Sequence, residues 1–132
     1  MRYFCRVVLL LVVSLTLSCH GRNAYDHAPT EAFLRSIKQK LYPGMRTTGH
    51  YCTWEGVSCP GNQEVHVKLT DGVLEGDLNS LFPFPQGTAF VIEVDFSNNR
   101  NLYGSYPPEF GTDLKNLWYL SLRNTRAVRS DP

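Results

Sequence analysis

The side chains best suited to chemistry cluster around one short segment. Cys52 and Cys59 have six residues between them, with His50 just before the pair and His66 after it. Two chemistries compete for such a set. His50, Cys52, Cys59 and His66 could ligate zinc, but the cysteines are set wider than the two-to-four-residue spacing usual for structural zinc. In an oxidising compartment two thiols pair instead, and the expectation is a Cys52–Cys59 disulfide with no metal and no cofactor. Closing so short a loop is worth about 2.5 kcal/mol on the chain-entropy estimate. For catalysis the chain offers little. His27, His50 and His66 have no Ser, Cys or carboxylate set beside them as a relay, and Gly-x-Ser-x-Gly, His-Glu-x-x-His and Gly-rich phosphate loops are all missing. The chain reads as a non-enzyme, with a small secreted hydrolase as the weaker alternative.

The oxidising compartment is inferred from the N-terminus. Arg2 and Arg6 give a positive start, Val7 to Leu17 an apolar run, and Ser18 to Gly21 a small and polar exit. Residues 1–21 therefore read as a secretory signal, cut after Ser18 or Gly21. The run is shorter than the roughly 20 apolar residues of a spanning helix, so no membrane span is expected after cleavage. Cys5 leaves with the signal, and Cys19 leaves if the cut follows Gly21.

Charge excludes another class of partner. The formal net charge is +1 and charged residues make up 19% of the chain. Lys and Arg are scattered rather than clustered, so no nucleic-acid partner is expected. No Asn-x-Ser/Thr sequon occurs.

The elements that must carry these residues begin with a helix. Thr30 is a suitable N-cap, Phe33, Ile37 and Leu41 fall four apart with Leu34 beside them, and Pro43-Gly44 ends the run. A helix this short is unstable alone and must pack on a later part of the chain. Between Asn23 and Pro29 the chain is polar and aperiodic, and Met45 to Tyr51 reads as loop. Trp54, between the two cysteines, reads as a core plug in preference to a sugar-stacking ring.

From Glu64 onward the sequence repeats. Val67-Lys68-Leu69, Val94-Asp95-Phe96 and Leu120-Ser121-Leu122 align at offsets of 27 and 26 residues, within the 20–29 of leucine-rich repeats. Each reads as a strand with apolar residues inward and polar ones outward. Asn99 stands where a buried amide satisfies the backbone of the turn leaving the strand, a place held by Gly72 and Thr125 in the other units. Leu74 and Leu102 point inward, Gly76 and Gly104 permit a bend, and Pro107-Pro108 keeps the far side extended. Phe82 to Thr88 reads as an inserted loop.

The run Cys52-Thr53-Trp54-Glu55-Gly56-Val57-Ser58-Cys59, followed by Val65-His66-Val67-Lys68-Leu69, resembles the N-terminal cap of plant-type extracellular leucine-rich-repeat proteins. With Phe96-Ser97-Asn98-Asn99 and Leu120 to Arg126, the likeness is greatest to the promastigote surface antigens of trypanosomatid parasites, followed by plant receptor-kinase ectodomains and polygalacturonase inhibitors. The resemblance implies a curved solenoid outside the cell that binds proteins or glycans. Such proteins carry more repeats, and the surface antigens also end in a lipid-anchor signal not found here. Asn79 stands where Pro is common.

The expected architecture is thus an α/β solenoid, a leucine-rich-repeat fragment: a signal at 1–21, a helical, disulfide-closed cap at 22–63, and about two and a half repeats at 64–132. Short parallel strands line a concave face and the convex side is mostly irregular. Outward residues then form ladders: His66, Glu93 and Tyr119; Lys68, Asp95 and Ser121; Thr70, Ser97 and Arg123. Mixed charge and one aromatic suit a protein or glycan partner. A solvated strand face without a ligand, on a truncated chain without independent function, is the alternative.

Overall fold

The computed structural model describes residues 4–10, 14–20, 27–61, 63–84, 90–108, 110 and 114–130. The expected polar stretch at 23–26, most of the expected inserted loop (85–88), and Glu109 lie outside them. Within the segment expected to be a signal, β1 (Phe4–Leu10) pairs antiparallel with β2 (Ser14–His20) as a separate two-stranded sheet.

Helix α1 spans Ala28–Lys40, with Pro29 and Glu31 in its first turn and Lys38 and Lys40 in its last, the charge order a helix dipole favours. It starts earlier than Thr30. His27 holds the cap position without a side-chain capping bond, and Thr30 is instead fully buried inside the helix, its hydroxyl unpartnered among the described residues. Phe33, Leu34, Ile37 and Leu41 are all fully buried. The Leu41 and Tyr42 amides both donate to the Ile37 carbonyl, at 2.9 and 3.0 Å, ending the helix ahead of Pro43.

Beyond the helix the chain folds around Trp54, which is 2% exposed and donates its Nε1–H to the Gly49 carbonyl at 2.9 Å. The Arg35 guanidinium lies 4.8 Å from the centre of the indole ring. Cys52 and Cys59 form a disulfide, Cα atoms 5.5 Å apart, which ties the turn at Tyr51–Thr53 to strand β3 (Val57–Gly61). Gly56 enters β3 with φ +74°, and a Cβ there would meet Leu69 Cδ2 at 2.4 Å and the Lys68 carbonyl at 2.6 Å. Only glycine lets this loop close on the next strand.

Strand β3 pairs antiparallel with β4 (Glu64–Lys68). β4 then pairs in parallel with β6 (Val91–Asp95), and β6 with β8 (Tyr119–Ser121), giving the order β3-β4-β6-β8. Behind this sheet, β5 (Gly76–Asp77), β7 (Leu102–Tyr106) and β9 (Arg126–Arg129) form a second, wholly parallel sheet. The core lies between the two. Val65, Val67 and Val94 of the first sheet, with Leu69 and Phe96 just past its strands, share one core with Leu102 of the second and with Leu74 and Leu78 flanking β5, and α1 packs into the same cluster.

This architecture corrects the expected α/β solenoid. The chain is a small α/β domain with one helix among the described residues and mixed antiparallel and parallel sheets, neither closed nor curled. A repeat stack curls when one side of each unit is wider than the other. Here both sides of a unit are hydrogen-bonded strands, which advance by the same ~4.8 Å per strand, so no curvature accumulates. The side expected to be irregular is the β5-β7-β9 sheet. Part of the expected inserted loop is core as well: Phe82 and Phe84 pack with ring centres 4.3 Å apart, and Phe84 lies 4.9 Å from Phe33 and 5.2 Å from Phe110.

Candidate binding face

The outward face of the four-stranded sheet carries the expected ladder residues. Parallel register sets His66 beside Glu93 and Glu93 beside Tyr119; the next row is Lys68, Asp95 and Ser121. Alternation explains the placement, because Val65, Val67 and Val94 between them are buried in the core. Past the strand ends the Asp71 amide donates to the Ser97 carbonyl at 3.3 Å and the Asn98 amide to Arg123 at 2.8 Å, keeping Thr70, Ser97 and Arg123 in the third row.

These nine residues are not equivalent. Lys68, Tyr119 and Arg123 are exposed, while His66, Thr70, Glu93, Asp95 and Ser121 are partly buried. Ser97 is buried, at 8% exposure, which removes it from the contact set. The cause is local: its amide donates to Asp95 Oδ1 at 3.0 Å, folding the turn back over it. His66 Nδ1 and Glu93 Oε2, expected as ladder neighbours, lie 3.0 Å apart as an ion pair or hydrogen bond. The other His66 nitrogen, Nε2, is buried without a partner among the described residues, so no hydroxyl or thiol completes a relay there. Trp118 flanks the face, 72% exposed and edge-on to Tyr119 with ring centres 6.3 Å apart.

A second polar row went unread in the sequence. Asp71, Asn98 and Asn124 all adopt left-handed backbone, with φ of 64°, 61° and 57°. Asn98 Nδ2 donates to Asp71 Oδ1 at 3.2 Å, and Asn124 Nδ2 donates to Asn98 Oδ1 at 2.8 Å. Asn and Asp tolerate this conformation best after Gly, and their recurrence at offsets of 27 and 26 was the available signal. The row borders the ladder face and fixes each turn in the same shape.

Next to it in sequence, Asn99 is fully buried and joins two units. Its Oδ1 accepts from the Gly72 and Leu74 amides at 3.0 and 2.9 Å, while its Nδ2 donates to the Leu69 and Phe96 carbonyls at 2.8 and 2.7 Å. Thr125 does a lesser version, donating to the Leu122 carbonyl at 2.7 Å.

Away from the face, a cleft of about 420 Å³ opens beside the disulfide, walled by His27, His50, Tyr51 and Phe90. His27 Nδ1 and the Tyr51 hydroxyl are 2.5 Å apart. Burial raises the Tyr51 pKa, with a smaller contribution from Glu31. Both cysteine sulfurs are committed to the disulfide and cannot serve as thiolate ligands.

A mixed front sheet with three parallel strands, a second sheet behind it and a helical, disulfide-closed end fit an extracellular leucine-rich-repeat-like fold, which a solved structure supports. Among solved structures the chain is similar to the BIR2 ectodomain from Arabidopsis thaliana, at 30% identity and a TM-score of 0.56. The similarity covers 73% of this chain and 55% of that one, so the chain spans little more than half the length of its structural relative. No family model matches the chain, and no curated protein does. The likeness is thus to a plant receptor ectodomain, and a trypanosomatid affinity is not shown.

Proposed function

We propose that this chain is a secreted or cell-surface recognition module that binds a protein or glycan through the outward face of its four-stranded sheet, without catalysis. One observation carries the reading: three parallel strands set Lys68, Tyr119 and Arg123 on one open face, each held in register by the backbone behind it. Pre-positioned, exposed and chemically mixed groups are what an interface draws upon. Likeness to an ectodomain and the Cys52–Cys59 disulfide support an extracellular setting. Residues 1–21 are then the signal that takes it there, and a secreted product beginning at Cys19 or Arg22 is expected. Among the described residues no helix is long and apolar enough to cross a membrane. The finer affinity, to promastigote surface antigens, rests on the sequence motifs alone: Cys52 to Cys59 with Val65 to Leu69, Phe96 to Asn99, and Leu120 to Arg126.

The test is a screen of the mature protein against a glycan array and a panel of secreted ectodomains. For any partner found, Tyr119→Ala and Arg123→Ala should each weaken binding by more than about 1 kcal/mol, as aromatic and Arg anchors do. Tyr103→Ala, on the opposite sheet and 50% exposed, should leave it unchanged. The reverse pattern would put the site on the wrong sheet.

A further inference from the structure

Arg100 and Arg126 lie 26 residues apart in the chain and meet beside the row of Asp71, Asn98 and Asn124. The Arg126 Nε–H donates to the Arg100 carbonyl at 2.7 Å and its Nη2 to Asn101 Oδ1 at 3.4 Å, which orients the guanidinium and leaves Nη1 without a partner among the described residues. The Arg100 side chain is exposed and makes no hydrogen bond or ion pair among those residues. Between them run two clefts of about 410 and 300 Å³ that share Arg100 and Asn124 as walls, with Arg126 beyond one end and Asn98 and Asp71 at the other. They form one groove across three successive turns, and no apolar side chain lines it. A protein partner draws on apolar and aromatic contacts at the centre of an interface. This groove offers hydrogen bonds and charge instead.

Its charge is less balanced than its composition. Asp71 is the one acid among the lining residues, and both its oxygens are engaged: Oδ1 accepts from Asn98 Nδ2 at 3.2 Å and Oδ2 from the Thr70 hydroxyl at 3.1 Å. It also stands two units from Asn124, roughly 10 Å at the strand spacing of a sheet. The guanidinium groups keep open donors. Because the amide row runs donor to acceptor from Asn124 to Asp71, Asn124 Oδ1 at its far end is left as an acceptor. An acceptor beside two guanidinium groups is the complement of a hydroxyl next to an oxyanion.

We propose that this groove is a subsite for an acidic sugar, whose carboxylate or sulfate is held by Arg100 and Arg126 and whose neighbouring hydroxyl donates to Asn124. The subsite rests on the ladder-face reading and gives its glycan partner a charge. The Asn98 amide donates to the Arg123 carbonyl at 2.8 Å, joining the groove to the third ladder row, so the next sugar of the chain runs on to that face.

Isothermal titration of the mature chain with three oligosaccharides of equal length tests this: a sulfated dextran fragment, an oligogalacturonate and an uncharged dextran fragment, at one ionic strength. An acidic oligosaccharide should bind at least about tenfold tighter than the uncharged one, and the tighter of the two acidic ones identifies the oxyanion. Arg100→Ala should cost about tenfold without moving the urea midpoint, since its side chain holds nothing in the fold. Arg100→Lys keeps the charge but loses the planar fork, and should still cost about threefold; Lys115→Ala, an exposed cation outside the groove, should cost nothing. Equal affinity for the uncharged oligosaccharide, parental affinity in Arg100→Lys, or an equal loss in Lys115→Ala would each overturn the subsite. So would a secreted ectodomain that binds the ladder face while every oligosaccharide fails. A loss in Tyr119→Ala with none in Arg100→Ala would overturn the subsite and leave the ladder face standing, whereas the converse would keep the subsite and remove the ladder face.

Discussion

Replacing Asn99 by Ala tests whether one buried amide holds the first two units together. The side chain has no solvent exposure, so none of its partners can recruit water without a structural opening. Removing it strands the Leu74 N–H, fully buried, and the carbonyls of Leu69 and Phe96. A buried group left unpaired costs about 1–3 kcal/mol, with N–H near the top and carbonyls, which have two lone pairs, lower. The Gly72 N–H is only partly buried and adds less. Together the loss should be about 3–5 kcal/mol, a large share of the 5–15 kcal/mol available to an ordinary domain. Urea unfolding followed by tryptophan fluorescence and far-ultraviolet dichroism reads this as a lowered midpoint at constant slope.

Two companions sharpen the result. Asn99→Asp keeps the acceptor for Gly72 and Leu74 but sets a carboxylate against two carbonyl oxygens, and should destabilise at least as much as Ala. Asn98→Gly loses only surface bonds and relieves a left-handed backbone, so it should stay within about 1 kcal/mol of the parent. If Asn99→Ala costs no more than Asn98→Gly, the amide does not join the units and the reasoning fails.

Other perturbations reach separate parts of the fold. Ile37→Asp places a charge at a fully buried position of α1 and should cost several kcal/mol, read as a lower thermal midpoint. Gly104→Ala meets φ +94° and would set a Cβ 1.9 Å from Asp77 Oδ1, so a loss of about 1–3 kcal/mol is expected in urea unfolding. Replacing Cys52 and Cys59 together by Ser should remove about 2.5 kcal/mol, while free thiols detected by alkylation of the untreated protein would contradict the disulfide. The hydrogen bond from the Tyr42 hydroxyl to Glu55 holds that carboxyl below the usual range and raises the Tyr42 pKa. A depressed acid stabilises above its unfolded pKa and loses that share as pH falls through its folded pKa; the raised Tyr42 loses its share as pH climbs through its own. In a carbon-detected titration the Glu55 midpoint should move upward in Tyr42→Phe.

What the sequence made legible was whatever depends on alternation. Val67, Val94 and Leu120 recur with polar neighbours on both sides, and a parallel strand has only one register that turns all three toward the core. The ladder rows on the outward face come from that register without further information. Asn99 was legible for a similar reason, as an amide at the turn leaving an apolar strand. The second sheet was not. Gly76-Asp77, Leu102-Tyr103-Gly104 and Arg126-Ala127-Val128 share no hydrophobic pattern, because their pairing is a matter of backbone alone and glycine, which sheets ordinarily disfavour, is needed where β7 passes Asp77.

That missing sheet also decides the shape. An irregular far side would have left each unit free to fan open into the curved solenoid that the resemblance implied. With β5, β7 and β9 hydrogen-bonded, the two sides advance in step and the ladder face stays open and uncurled. An uncurled face changes what can bind there. It offers no cradle in which a small ligand could be enclosed, so affinity has to come from area and from a few anchors, and the exposed ones stand toward β8: Tyr119, Arg123 and, at its edge, Trp118. On the β4 side, His66 and Glu93 are partly buried and paired with each other through His66 Nδ1, and Lys68 is the exposed member. The binding energy of this face should therefore be graded along the sheet, smallest at β4 and largest at β8.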